Sequence, residues 1–294
     1  MSAHLPDELI RTFTPDASVS VRVLSATQLV REAARRHNTT PIATVALGRA
    51  LMGGLLLATE GQDGEHVQVQ FRGRGPLGTI TVTADSEGAV RGYLQHPDAD
   101  LPLTGEHFDT SVAIGLGELA IERNHPSWKR PYSGIVPIVT GEIARDLATY
   151  LLESEQKPSA VALGIFVSET GQVEAAGGYL VQALPGADDE VLASLERHVI
   201  ETPNPSELLH DGASANAILE RLLGEPVGDS LDRLHPRFHC PCTIDRVMRA
   251  ATLLGADEIR EIIEQGEDLE VCCAFCANAY HLTPEQLSSM FPDS

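Results

Sequence analysis

All five cysteines of this chain lie near its end. They are Cys240, Cys242, Cys272, Cys273 and Cys276, and the first 239 residues contain none. A secreted disulfide framework spreads its cysteines through the fold to staple it, whereas here most of the chain must fold without one. An odd count clustered in this way points to metal binding or redox chemistry. Cys240-Pro241-Cys242 is a C-x-C pair, Cys273-Ala274-Phe275-Cys276 is a C-x-x-C pair, and thirty residues separate Cys242 from Cys273. Two thiol pairs on two short loops match a tetrahedral four-cysteine site for Zn2+. The segment 236–294 carries ten acidic and four basic residues, a setting that disfavours free thiolates. A bound dication reverses that local logic. Four thiolates leave no open coordination position, which argues against a hydrolytic zinc. His239 is expected as a solvent-facing neighbour and His281 as a packing residue. Cys272 is expected to be a bystander, because C-x-x-C spacing closes a metal loop better than C-x-x-x-C.

The rest of the chain reads as an α+β protein in three regions: an N-terminal core of sheet packed with helices (1–185), a helical linker (186–235) and a small C-terminal zinc-binding domain (236–294). In the core, Val19, Val21 and Val23 alternate. So do Val67, Val69 and Phe71, then Ile80 and Val82, then Val161, Leu163, Ile165 and Val167, as in half-buried strands. Val173–Gln182 is the expected hairpin partner of the last strand, across Glu169-Thr170-Gly171. Thr27–His37 and Gly141–Ser154 have the spacing of amphipathic helices. Ile42–Ala58 is apolar nearly all round, which predicts a buried core helix. It carries Arg49 and is shorter than the ~20 apolar residues of a membrane span. Short turns between strands argue against a doubly wound parallel sheet.

The linker holds eleven acidic residues, three arginines and no aromatic residue. Three short helices are expected in it: one on Val191, Leu192, Leu195 and Val199, one begun by Asn204-Pro205, and one on Ala217, Ile218, Leu222 and Leu223 ended by Gly224. Such helices depend on docking their apolar faces. They are either a permanent cover on the core or a conditionally stable switch. The C-terminal segment is predicted to form two helices broken at Gly255, a cysteine-bearing turn and a final helix, and to need a staple to fold.

Several functions are disfavoured. A formal charge of −21 repels nucleic acid and anionic membrane. Lys129 and Lys157 are the only lysines, which weakens any catalytic-lysine reading. Met1–Leu9 lacks a basic start followed by an apolar run, so a cytoplasmic protein is expected. Gly73-Arg74-Gly75-Pro76-Leu77-Gly78 fits G-x-G-x-x-G, but a strand rather than a helix is expected after it and Pro76 lacks a donor. Glu142, Asp146 and Glu155 are read as solvated carboxylates rather than an acid–base set, and no enzyme is expected.

A site of four cysteines is either structural or a redox switch whose oxidation expels the metal and unfolds its domain. A disulfide across one residue is strained and easily reduced again, which tilts the C-x-C pair toward the switch. Phe238-His239-Cys240-Pro241-Cys242 and Val271-Cys272-Cys273-Ala274-Phe275-Cys276, followed by Tyr280, resemble the zinc pairs of a known family, the redox-regulated thirty-three-kilodalton heat-shock proteins of bacteria. Phe71–Gly78 is similar to that family's GxGPLG turn, and Val90-Arg91-Gly92-Tyr93 to its RGY segment. Thr140–Ile143 with Ser154–Ala160 resembles its GEIA and SEQ-PSA blocks, and Ala175–Gly178 with Leu184-Pro185-Gly186 its core end. Cys272 departs from the four-cysteine pattern.

The resemblance implies an ATP-independent holdase chaperone, inactive while zinc holds Cys240, Cys242, Cys273 and Cys276. Oxidation would form Cys240–Cys242 and Cys273–Cys276 disulfides, release zinc and unfold the C-terminal domain and linker. The exposed surface would then bind unfolding client proteins, with a homodimer as the active form. The competing expectation is a protein-binding module with a purely structural zinc site.

Overall fold

A computed structural model describes residues 6–101, 108–168, 170–226 and 231–290. Glu169 of the expected hairpin turn and residues 227–230 of the expected linker lie outside them. The chain divides into two compact units, Met1–Phe238 and His239–Ser294.

The first unit begins with strands β1 (Glu8–Phe13) and β2 (Val19–Ser25) and helices α1 (Thr27–His37) and α2 (Pro41–Ala58). Strands β3 (His66–Gly73), β4 (Thr79–Asp85) and β5 (Ala89–Leu94) follow, then α3 (Thr110–Ile114), β6 (Gly117–Asn124) and β7 (Tyr132–Ile138). Next come α4 (Ile143–Glu153), β8 (Ser159–Val167) and β9 (Val173–Ala183). Helices α5 (Asp189–Glu201), α6 (Pro205–His210) and α7 (Ala215–Leu223) and short strands β10 (Asp232–Leu234) and β11 (Arg237–Phe238) complete it. One sheet has the order β10-β1-β2-β9-β8, the other β11-β5-β4-β3-β6-β7. Pairing is antiparallel apart from β11 on β5. The α+β expectation holds.

Helix α2 is the centre of the core. Pro41 sits at its first position, where the missing N–H costs nothing. It touches strands of both sheets as well as α1 and α4. By length and hydropathy it could cross a membrane, but 89% of it is buried inside the fold. Its glycines allow this packing: a Cβ on Gly53 would lie 2.4 Å from Leu147 Cδ1, and one on Gly54 2.8 Å from Val82 Cγ1.

Strands β6 and β7 were not expected, and Arg123 explains part of the reason. Leu119, Ile121 and Arg123 occupy the inward positions of β6, so a charge interrupts the apolar alternation. Arg123 is nonetheless buried. Its Nε lies 3.0 Å from Glu155 Oε1, and its Nη1 and Nη2 lie 3.2 Å and 3.1 Å from Glu65 and Glu60. Lys157 pairs with Glu155 at 2.9 Å and also with Glu60. Burial opposes ionisation of Glu155, but the charges of Arg123 and Lys157 outweigh it and hold its carboxyl below the usual range.

The solvated reading therefore fails for Glu155 and Asp146, while Glu142 stays partly exposed at the start of α4, as expected. Glu155 belongs to this buried cluster, and Glu142 accepts from Arg49 Nη1 at 2.7 Å and from Thr110 N at 3.0 Å. Asp146 is fully buried and accepts hydrogen bonds from the backbone N–H groups of Val139, Thr140 and Gly141 and from the Thr140 hydroxyl. It ties the β7–α4 loop to the helix. Asp146→Ala takes the acceptor from all four donors, of which the Gly141 N–H is buried, and is expected to cost about 3 kcal/mol, read as a lower urea midpoint at unchanged slope.

The three helices expected after residue 185 form, with the Asn204 and Gly224 ends where the sequence places them. Asp188, Asn204 and Ser214 accept N-terminal amides, and Gly224 closes α7 with φ +75°. Leu195, Ala215, Ile218, Leu219 and Leu222 pack on Ile10, Val19, Val21, Val23, Tyr179 and Val181. These helices thus cover an apolar face of the β10-β1-β2-β9-β8 sheet. Ala217, expected on the packed face, is exposed, and Ala215 and Leu219 take its place.

The second unit holds α8 (Ile244–Ala251), a 3-10 turn (Thr252–Leu254), α9 (Ala256–Gln265), the antiparallel strands β12 (Leu269–Cys272) and β13 (Ala279–Leu282), and α10 (Pro284–Met290). Among the described residues its buried apolar core is Val247, Ala251, Ile259, Leu282 and Leu287, with half-buried side chains such as Ile262, Val271 and Tyr280 packed against it.

Candidate metal centre

Local hydrogen bonds shape two loops that present thiols. Cys240 and Cys242 precede α8, whose first turn is capped by Thr243. Arg246 Nη1 reaches back 3.0 Å to the Pro241 carbonyl and fixes the C-x-C loop. Cys273 and Cys276 occupy the turn between β12 and β13. There Cys273 N donates to Asn278 O at 2.9 Å and Ala277 N to Cys273 O at 2.8 Å. Ala277 takes a left-handed conformation, φ 55°, to complete the turn.

The four sulfurs of Cys240, Cys242, Cys273 and Cys276 all lie within 4.8 Å of one another. The Cys240–Cys273 separation is 3.8 Å and the Cys242–Cys276 separation 3.3 Å, each spanning the two loops. A tetrahedron with metal–sulfur bonds near 2.3 Å requires sulfurs about 3.8 Å apart, so the donor set fits a four-coordinate metal ion. Among the described residues no cysteine is in a disulfide.

The electrostatics agree with that fit. Burial pushes the Cys240 and Cys276 thiols up. Burial acts the same way on Cys242, but hydrogen bonds from Tyr280 and the neighbouring thiols outweigh it and bring Cys242 down to about 7. Four thiols this close cannot all ionise without a cation among them. Tyr280 Oη donates to Cys242 Sγ at 3.0 Å and lies 3.3 Å from the Cys242 carbonyl. Donation to the sulfur pushes the Tyr280 hydroxyl up to about 12. The sequence marks this contact only by a tyrosine four residues past the C-x-x-C pair.

The other candidates stand apart. Cys272 is exposed at the end of β12, paired through its backbone with Ala279. His239 is exposed. His281 is exposed as well, facing Glu270 across the β12–β13 pair at 3.9 Å, rather than packed as expected. The G-x-G-x-x-G turn is followed by β4, not by a helix, so it lacks the context for phosphate binding.

Fold and site together define a mixed helix-and-sheet protein with a C-terminal cysteine cluster able to bind a metal ion. The family described as "Hsp33 protein" matches residues 7–283, and the chain belongs to that family. The "33 kDa chaperonin" of Geobacter sulfurreducens is 39% identical over 287 residues, covering 97% of this chain and 95% of the relative. The protein of the same name from Limosilactobacillus fermentum is 38% identical, with coverages of 96% and 98%. The crystal structure of the Thermotoga maritima 33 kDa chaperonin, a heat shock protein 33 homologue, superposes with a TM-score of 0.91. It is 32% identical and covers 99% of this chain and 98% of that one. The resemblance drawn from the motifs is thus confirmed.

Proposed function

We propose that this chain is a redox-regulated, ATP-independent holdase of the cytoplasm, not an enzyme, and that Cys240, Cys242, Cys273 and Cys276 hold Zn2+ in its resting state. Family membership supports a chaperone role. The observation that carries the redox reading is the clustering of four thiols within 4.8 Å on two loops of a unit with a very small core. Bound zinc keeps the four thiolates ionised and contributes to the folding of the unit.

In the oxidised form the disulfides are Cys240–Cys242 and Cys273–Cys276. Each thiolate pair gives up two electrons as its S–S bond forms, and these, with two protons from solvent, reduce one hydrogen peroxide to two waters. Both pairs then cease to be thiolate donors, and the segment 236–294 loses its staple. The linker 186–235 follows, uncovering the apolar sheet face beneath α5 and α7. That face and the freed helices bind unfolding client proteins, and the active form is a homodimer.

Mass-spectrometric mapping after peroxide, with zinc release recorded on the same sample, tests this reading. Disulfides within each pair and loss of the ion are expected. Retained zinc with four alkylatable thiols contradicts it. Tyr280→Phe removes the donor to Cys242 Sγ and is expected to weaken metal retention against a chelator by about tenfold. Unchanged retention would reduce Tyr280 to a packing residue.

A further inference from the structure

One short strap, Asp232–Phe238, caps an edge of both sheets. As β10 it pairs with Leu9, Ile10 and Arg11 at the edge of one sheet, and as β11 with Ala89 and Val90 at the edge of the other. Only His239 separates it from Cys240. Its ladders are short, three residues on one and two on the other, while Leu234 and Phe238 pack against the main core and Arg36 lies 5.1 Å from the Phe238 ring centroid. Arg233 to Glu8 (2.6 Å), Arg233 to Asn216 (2.9 Å) and an Arg11–Asp232 pair reinforce the strap.

The edges beneath are longer and independently held. β2 pairs with β1 along its whole length, Glu8–Phe13, and β4 holds β5 from Val90 to Leu94. Leu9 is fully buried in the main core, apart from the cluster beneath the linker helices. Both edges therefore keep their shape when the strap leaves, and each then offers a row of backbone N–H and C=O groups.

We propose that the edges of β1 and β5 capture unfolding polypeptide by strand addition once the strap detaches, the strap being this chain's own stand-in for the occupant. The inference rests on the holdase reading and names how the client is held. The occupant is an extended client segment. The edge recognises backbone, which every non-proline residue supplies alike, so it suits clients that share no sequence. The strap's position next to Cys240 ties uncovering of the edges to the state of the C-x-C loop.

The test uses the full-length protein and a fluorescent Val/Thr-alternating decapeptide with lysine ends. A twin of this peptide is N-methylated at four consecutive residues, so that neither peptide edge can donate there. Peroxide-oxidised protein is expected to bind the unmethylated peptide at least tenfold tighter than its twin, with amide exchange slowed at Leu9–Arg11 and Val90. Arg233→Pro, which weakens β10, is expected to give the reduced protein the same preference and at least tenfold tighter binding than the reduced wild type. Equal binding of the two peptides by oxidised wild type overturns strand addition. If that sample still suppresses client aggregation, the holdase reading stands without it. If it neither binds peptide nor suppresses aggregation, both fall.

Discussion

Stripping the metal from the reduced protein, or replacing Cys276 by serine, is expected to abolish the cooperative fold of His239–Ser294. Among the described residues, five buried apolar side chains make up the core of that unit, one of them an alanine. So small a core does not offset the chain entropy of the segment alone. Structural zinc in comparably small domains contributes roughly 10–16 kcal/mol, and that binding energy is folding energy. Cys276 is the most buried of the four thiols, so a serine there removes a donor and leaves the other three thiols without the fourth ligand. The measurable result is loss of the helical circular dichroism of α8–α10 and of amide protection in β12 and β13. A unit that stays folded after chelation would show that packing alone holds it.

Arg123→Ala is expected to be the most damaging single change in the first unit. It leaves Glu60, Glu65 and Glu155 buried around Lys157 alone. Removing one partner from a buried ionic cluster costs about 3–5 kcal/mol, which for a unit of this size lowers the melting temperature by about 10 °C. The pH dependence follows from Glu155. Its carboxyl is held below the ordinary value in the folded state, so its stabilisation is present above the unfolded value. That stabilisation is lost as pH falls through the folded one. The gap between wild type and variant is thus largest near neutrality and narrows in acid, which urea melts at two pH values would record. A gap independent of pH would assign the loss to packing.

Much of this was legible in the sequence, for identifiable reasons. The apolar run of α2 leaves no face for water, and Asn204-Pro205 and Gly224 mark helix ends through backbone constraints that act locally. The cysteine spacings announce a shared ion because few other uses need two thiol pairs. The illegible parts depend on partners far away in the chain. β6 was hidden by Arg123, whose burial makes sense only with Glu60 and Glu155, sixty-three residues before it and thirty-two after it. Asp146 read as solvated because its acceptor role depends on the path of the preceding loop. β12 and β13 are four residues each and carry a cysteine, a histidine and a tyrosine, so their alternation was too short to register.

The central claim is that oxidation of the thiol centre turns the chaperone on. Light scattering of a heat-unfolding client tests it, with zinc-loaded reduced protein compared against the same sample after peroxide. The account predicts that aggregation is suppressed only after oxidation and that zinc is released in parallel. Equal suppression by both samples with zinc retained would contradict it and leave the centre a structural staple.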